Sequence, residues 1–554
     1  MQSIFRQGIL SCIAAYLLAN PICLAQIGAL QSASNSVQPG TTAAATVSRT
    51  IHGRVTNGLD GSAIPRALVV LNSRTLLTDS QGRFTFTDFT DQQAYATLTK
   101  PGFTQTLDQP FGMARQRILN LDATLELKMY PDATITGAIT GRDGLPLTHV
   151  QVTLRRAVFL QNSWRWIPVN STQTDLHGEY RFRAPAGRFQ INLGYTGRSQ
   201  DIGEAVLPVT FPANTSTSDF PYLEVASGQE RRVDLRPMTG AVHQVQLTVD
   251  GQDTGRGIQL TAQTPSGERF QVPASLQAGE GRFSLPLGTY TLQARLENRD
   301  VSLEGSTRVV VTGKPTDAAA IHMEPAAVVP VELSTNPGGS PPATQSSASS
   351  RGGLQTPTSE SVDPRQLNLR LRNVSQAALP EIQDVPLRQN EQKGYEFRLF
   401  PGRYRLEAVA IGSWYVESAT SGVTNLVSSD LVIASAGSGT PIRLVANNAF
   451  GTVTVSANLP PNADNLFLYL VPRGSELIPI NQIPFGMDNS VGPLSTSTRV
   501  PVGSYLAVAT TRQIQDDLRN PEVLARFSAG SKVIDVTANG ATTVTLDIAQ
   551  GKTP

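Results

Sequence analysis

The chain has 554 residues, with 45 Lys plus Arg against 44 Asp plus Glu, and charged residues make up only 16% of it. So balanced a charge leaves no field to draw in nucleic acid or an anionic membrane, and nucleic acid is not an expected partner. The length allows roughly three to five domains, and 46 Gly with 37 Pro suit short strands joined by turns.

Residues 1–25 read as a secretory leader. Arg6 supplies the positive end and Ile9 to Leu18 the apolar core. Pro21 ends that core, and Cys23-Leu24-Ala25 offers small residues for cleavage near Ala25-Gln26. The apolar run is too short for a confident span, and no later stretch reaches spanning length, so no transmembrane span is expected in the mature chain. The two cysteines, Cys12 and Cys23, both lie in the leader, which leaves the mature chain without thiol or disulfide. Residue Ile22, not a small residue, precedes Cys23, which argues against lipid attachment there. Residues 26–48 are rich in Ser, Thr, Ala and Gln and read as a flexible linker.

From Ile51 one pattern recurs at about a hundred residues. An alternating apolar strand opens each unit, a second follows, then a turn and Gly-x-aromatic-x-apolar. A Pro-x-Gly-x-aromatic turn folds back a hairpin strand, and an alternating strand closes the unit. The expected boundaries are 49–128, 129–237, 238–326, 327–447 and 448–550. In the first unit the opening strand is Ile51 to Val55, and Thr78-Asp79-Ser80-Gln81-Gly82-Arg83-Phe84 forms the turn and third strand. The second repeats it with Ile135 to Ile139, Thr174-Asp175-Leu176-His177-Gly178-Glu179-Tyr180 and Pro185-Ala186-Gly187-Arg188-Phe189. The third carries Pro286-Leu287-Gly288-Thr289-Tyr290, the fourth Pro401-Gly402-Arg403-Tyr404, and the fifth Pro501-Val502-Gly503-Ser504-Tyr505. Gly187, Gly288, Gly402 and Gly503 are expected to adopt glycine-favoured φ at most of these turns. A Ser/Pro/Gly/Thr-rich stretch, 335–363, interrupts the fourth unit and reads as a disordered insertion. In the fifth, Asn520-Pro521-Glu522 signals a short helix. Period-two alternation puts one face of each strand in a core, so the expected fold is all-β, about five tandem antiparallel β-sandwiches of immunoglobulin-like or transthyretin-like type. Small interfaces between tandem domains imply independent unfolding.

Gly-x-Val/Ile, Asp-Gly-x-x-x-Pro, Thr-Asp-x-x-Gly-x-Phe and Pro-x-Gly-x-Tyr resemble the carboxypeptidase regulatory-like domain. The first two units match well, although the first has Asp91-Gln92-Gln93-Ala94-Tyr95 where the Pro-Gly turn belongs. The resemblance implies a transthyretin-like sandwich of the carbohydrate-binding-like folds, in an exported bacterial envelope protein carrying tandem copies. It implies little about function, which resides in sites grafted onto folds.

The sequence offers no catalytic constellation. The five histidines, His52, His149, His177, His243 and His322, fit no zinc-peptidase spacing. There is no Gly-x-Ser-x-Gly elbow. Asp79 and Asp175 offer one carboxylate per turn, whereas calcium needs several oxygens, so they read as turn residues. No enzyme activity, metal or cofactor is expected. Trp164-Arg165-Trp166 sets both indoles on one face of a strand. That face either covers the core or stacks on sugar rings, with Arg155 and Arg156 nearby as donors. On the second reading Trp164, Trp166 and Arg155 are the carbohydrate-binding residues. The expected function is structural or adhesive at the cell envelope, with polysaccharide or an envelope protein as partner and a periplasmic, outer-surface or extracellular location. The alternative is an array of carbohydrate-binding modules.

Overall fold

The computed structural model describes residues 48–91, 94–105, 116–118, 124–160, 163–197, 203–213, 221–251, 257–297, 301–315, 317–336, 367, 369–374, 384–390, 392–408, 414–434, 437, 439–457, 467–473, 481–483, 494–511, 514, 518 and 521–548. The leader, Cys12, Cys23, the linker up to residue 47, most of 335–363 and the helix-capping Asn520 lie outside them. Among the described residues, packing separates 48–50 with 87–90 as one unit from 51–86 with 91–548 as the other. In the first, the Ser48 hydroxyl donates to the Asp88 carboxylate at 3.4 Å. The second carries the repeating sandwiches.

The fold is all-β, and one topology recurs five times. In each repeat the opening strand is central in one sheet and lies parallel to the closing strand. Arg49–Asn57 runs parallel to Leu125–Pro131, Ala133–Ala138 to Glu230–Arg232, and Val242–Asp250 to Ala318–His322. Ala327–Asn336 runs parallel to Ile442–Asn447, and Phe450–Ala457 to Ala541–Leu546. The expected antiparallel pairing therefore holds except for one parallel ladder per repeat. A parallel pair needs a long crossover, and here the crossover is the second sheet of the sandwich. Closing one repeat next to its own opening strand also brings the chain straight into the next repeat. Only Asp132 separates Leu125–Pro131 from Ala133–Ala138, and Asn448 and Ala449 separate Ile442–Asn447 from Phe450–Ala457. Connections this short leave no flexible linker.

The Pro-x-Gly turn is a corner between sheets, not a hairpin. Glu280–Pro286 pairs with Val242–Asp250 in one sheet, whereas Gly288–Glu297 pairs with Gln259–Gln263 in the other. Tyr395–Leu399 and Gly402–Glu407 separate in the same way, as do Leu494–Pro501 and Gly503–Thr510. Sequence alternation cannot tell a strand that folds back from one that crosses over, because each buries every second residue. Gly288, Gly402 and Gly503 have φ of 153°, 155° or 159° in this corner, while Gly187 does not take positive φ. A Cβ on Gly288 would sit 3.3 Å from the Tyr290 hydroxyl. That hydroxyl donates to the Pro286 carbonyl at 3.1 Å, and Tyr404 and Tyr505 donate to Phe400 and Pro501 at 2.8 Å each. These are tyrosine corners, an anchoring device of sandwich folds.

The cores follow the alternation. Glu179–Ala184 buries Tyr180, Phe182 and Ala184 and exposes the residues between. Each such fully buried large side chain contributes about 1.5–3 kcal/mol. The cores are not sealed from one another: Leu207 and Tyr195 of the second repeat pack into the core of the third, and Tyr415 of the fourth packs into that of the fifth. One further feature departs from expectation. Parallel pairing with Ile442–Asn447 carries the fourth opening strand through Thr335 to Asn336, so strand structure continues two residues into the expected insertion. The helix is short, Pro521–Ala525, and buries Val523. No helix among the described residues is long and apolar enough to cross a membrane.

Candidate functional site

The element that departs most from the repeat is the long hairpin of the second sandwich. Gln151–Leu160 pairs with Ser163–Gln173 over almost its whole length, with a bulge between Leu154 and Arg155. A bulge re-aims the side chains beyond it, and beyond it lie Arg155, Arg156, Trp164, Arg165 and Trp166.

The structure separates the predicted trio. Trp166 lies opposite Ala157 and is only 4% exposed, so it offers no ring face to a ligand. Trp164 is half-buried, with the Arg188 guanidinium 5.1 Å from its ring centroid. The same guanidinium lies 4.4 Å from the Tyr222 ring, which is 39% exposed. Arg155 points into a polar chain. Its Nη2 donates to Asn192 Oδ1 at 3.1 Å, and Asn192 Nδ2 donates to Thr210 Oγ1 at 3.0 Å. The Thr210 hydroxyl then donates to Glu268 Oε2 of the third repeat at 2.9 Å, and its amide to Glu268 Oε1 at 3.1 Å. An open platform of Trp164, Trp166 and Arg155 is therefore not what the fold builds. One indole is covered and the arginine is drawn into a contact between sandwiches.

Arg165, between the two tryptophans, reaches the fourth repeat. Its guanidinium lies 3.5 Å from Asp384 and 3.8 Å from Glu407. Arg370 also contacts Asp384, at 3.5 Å, and Arg372 contacts Glu407. All five side chains are largely shielded from water, where removing one partner of such a set costs more than at a surface. Arg388 of the fourth repeat reaches Glu297 of the third at 2.5 Å, and Arg295 of the third stacks on Phe400 of the fourth at 4.7 Å. Tyr195 stacks on Phe270 with centroids 4.5 Å apart. Contacts of the hairpin and of strands outside it thus join the second, third and fourth sandwiches.

The Thr-Asp turns are occupied by their own backbone. Asp79 accepts the amides of Gln81 and Arg83 at 2.8 Å each, and Asp175 those of His177 and Glu179 at 2.8 and 2.9 Å. The amides of Glu179 and then His177 hold the Asp175 carboxyl below its ordinary range. The adjoining threonines are buried and bridge strands. Thr78 donates to the Ile64 carbonyl and accepts the Ala67 amide, at 2.7 and 2.9 Å. Thr174 does the same with Leu147 and Val150, at 2.6 and 3.1 Å. Of the histidines, His52 bonds Thr85 at 3.2 Å, and His322 faces Asp250 at 3.0 Å in an exposed pair. Among the described residues no group of His, Cys, Asp or Glu is placed to hold a metal ion.

Sequence reasoning missed Arg188, Tyr222 and the role of Arg165. Arg188 had a signal, since it stands between Gly187 and Phe189 in the recurring corner motif, but its partners come from strands far away in sequence.

No protein-family model matches the chain, and no curated protein matches it. Among solved structures it is similar to the Bacillus anthracis TIE protein, at 14% identity over 50% of each chain with a TM-score of 0.17. It is similar to the minor pilin of Streptococcus agalactiae at 14% identity over 34% of this chain and 95% of that one, TM-score 0.20. A streptococcal ancillary pilin matches at 11% identity over 50% and 99%, TM-score 0.20. Likeness at these scores carries nothing from those proteins to this chain. The resemblance to the carboxypeptidase regulatory-like domain likewise has no family match behind it.

Proposed function

We propose that this chain is an exported, non-catalytic scaffold of the cell envelope, structural or adhesive in role, which holds tandem sandwiches in fixed relation and presents their outer faces. The observation that supports this best is the junction around Gln151–Gln173. The hairpin directs Arg165 to the fourth sandwich and links Arg155, through Asn192 and Thr210, to Glu268 of the third, and the Thr-Asp turns use their carboxylates on backbone amides. A catalytic protein concentrates titratable groups in a cleft, whereas Arg165, Asp384 and Glu407 meet between repeats. On this reading the first two repeats are carboxypeptidase regulatory-like domains, residues 1–25 are removed on export, and the partner is a polysaccharide or another envelope protein.

The test is fractionation of cells producing the full chain, with mass spectrometry of the product. The protein is expected in an envelope or extracellular fraction with its N-terminus near Gln26. Cytosolic protein that keeps Met1 contradicts the reading.

A further inference from the structure

The second sandwich carries a half-buried guanidinium with two aromatic rings beside it. Arg188 lies on Gly187–Leu193, a strand whose backbone is paired to Gln151–Leu160 on one side and to Leu223–Val225 and Val209–Phe211 on the other. Trp164 and Tyr222 cover the guanidinium at 5.1 and 4.4 Å. Two rings within cation–π distance restrict the group and leave its N–H donors as the part that can bind. Among the described residues that edge has no hydrogen-bond or ion-pair partner. Glu224, opposite Arg188 across the ladder, is exposed and makes no ion pair with it. A half-buried arginine held rigid without a carboxylate is poised to accept one from outside, because the entropy of ordering its long side chain has already been lost in folding.

We propose that Arg188, with Trp164 and Tyr222, binds the carboxylate of an acidic saccharide, a uronate unit of a polysaccharide. A carboxylate matches the planar fork of the guanidinium by two parallel N–H···O bonds. The half-exposed Tyr222 ring next to it offers a surface on which a sugar ring can stack. A peptide carboxylate is the poorer fit. The surrounding strand is paired on both edges, so an extended peptide would find no free backbone groups with which to add a strand. The proposal rests on the polysaccharide half of the partner reading above and narrows it to acidic glycans at one place.

The experiment measures binding of the full chain to polygalacturonate, to alginate and to fully methyl-esterified polygalacturonate by isothermal titration and affinity electrophoresis. Arg188→Ala, Arg188→Lys and Tyr222→Ala are compared with the parent, and thermal unfolding confirms that each is folded. The parent is expected to bind at least one of the two acids about tenfold more tightly than the ester, the scale of one charge-assisted bidentate contact. Arg188→Ala should abolish that preference. Arg188→Lys should lose most of it although the charge is kept, because an ammonium neither stacks nor forks; a merely electrostatic surface would leave Arg188→Lys unchanged. Tyr222→Ala should weaken binding several-fold. Equal affinity for acid and ester, acid binding unmoved by Arg188→Ala, or no binding of either acid overturns the proposal. Binding of the neutral ester that survives Arg188→Ala would overturn this site and leave the polysaccharide reading standing. Binding of none of the three would remove both, and the scaffold reading would still be judged by fractionation.

Discussion

The first two sandwiches and the last three share a topology but are pinned at different points. In the first two, a buried threonine and an Asp-capped turn hold the second strand to the strand that enters the corner, through Thr78 with Asp79 and Thr174 with Asp175. In the last three a tyrosine hydroxyl ties the corner to its own carbonyl at Tyr290, Tyr404 and Tyr505, while the fourth keeps a capped turn in which Asn390 accepts the Gly394 amide at 2.8 Å. The second repeat has Phe189 at the tyrosine position and closes its corner with a side chain from the neighbouring strand. Arg156, 7% exposed, donates to the Ala186 carbonyl at 3.2 Å and lies over the Phe189 ring. One buried polar contact at either point suffices to fix the crossing, so the motif that marks the first two repeats is free to fade in the others. The fold outlasts the motif because the parallel closing ladder and the alternating core do not depend on it.

The contrast can be broken by substitutions at the two kinds of pin. Gly178→Val should have the largest effect. Gly178 has φ of 73°, and a Cβ there would meet the Ile139 carbonyl at 2.7 Å. A β-branched residue cannot take that conformation cheaply, and the loss should be about 3 kcal/mol or more by denaturant titration of the full chain. Thr174→Val comes next. It leaves a buried carbonyl and a buried amide without their bridge, at a cost of about 2 kcal/mol. Tyr404→Phe removes one hydroxyl bond and should cost about 1 kcal/mol. If Tyr404→Phe proves costlier than Thr174→Val, the corner and not the turn is the principal pin, and the contrast drawn above is inverted.

The smallest effects are those of pH, and they have opposite signs in the two regions. Burial first of all pushes the hydroxyls of Tyr290 and Tyr404 up to about 12, above the ordinary value of 10.0. Folding therefore favours their neutral form. Their contribution is complete below about pH 10, the unfolded value, and is lost as pH rises through about 12. Asp175 is shifted down, so its contribution is present above the unfolded carboxylate value of about 3.9 and is lost as pH falls through its folded value. Alkaline melting of the parent and of Tyr404→Phe should show a weaker pH dependence above pH 10 in the variant. Identical curves would mean that the Tyr404 hydroxyl is not held as described.

Much of the strand layout was legible because burial alternates residue by residue, and a Pro followed one or two residues later by Gly-x-aromatic marks every corner from the second repeat onward. What the corner does was not legible. Gly288 looks the same in sequence whether Gly288–Glu297 folds back beside Glu280–Pro286 or crosses to the other sheet, and only the ladder decides. The parallel closing strands were hidden for the same reason, since their partners lie 72 to 111 residues away. Trp164 and Trp166 were found by alternation, but their fates differ through contacts that no spacing encodes. Arg155 read as an available donor because its acceptor Asn192 lies on another strand, and the role of Arg165 was hidden because Asp384 and Glu407 belong to another repeat.

The central claim is that the Gln151–Gln173 hairpin couples neighbouring sandwiches into one mechanical body, where small interfaces would leave independent beads. Differential scanning calorimetry of the full chain and of the Arg155→Ala, Arg165→Ala double variant tests it directly. The account predicts that the second, third and fourth sandwiches melt in one transition in the parent. In the variant that transition should split or broaden, while the first and fifth sandwiches keep their melting temperatures. Separate transitions for those three sandwiches in the parent, unmoved by the double substitution, would contradict it.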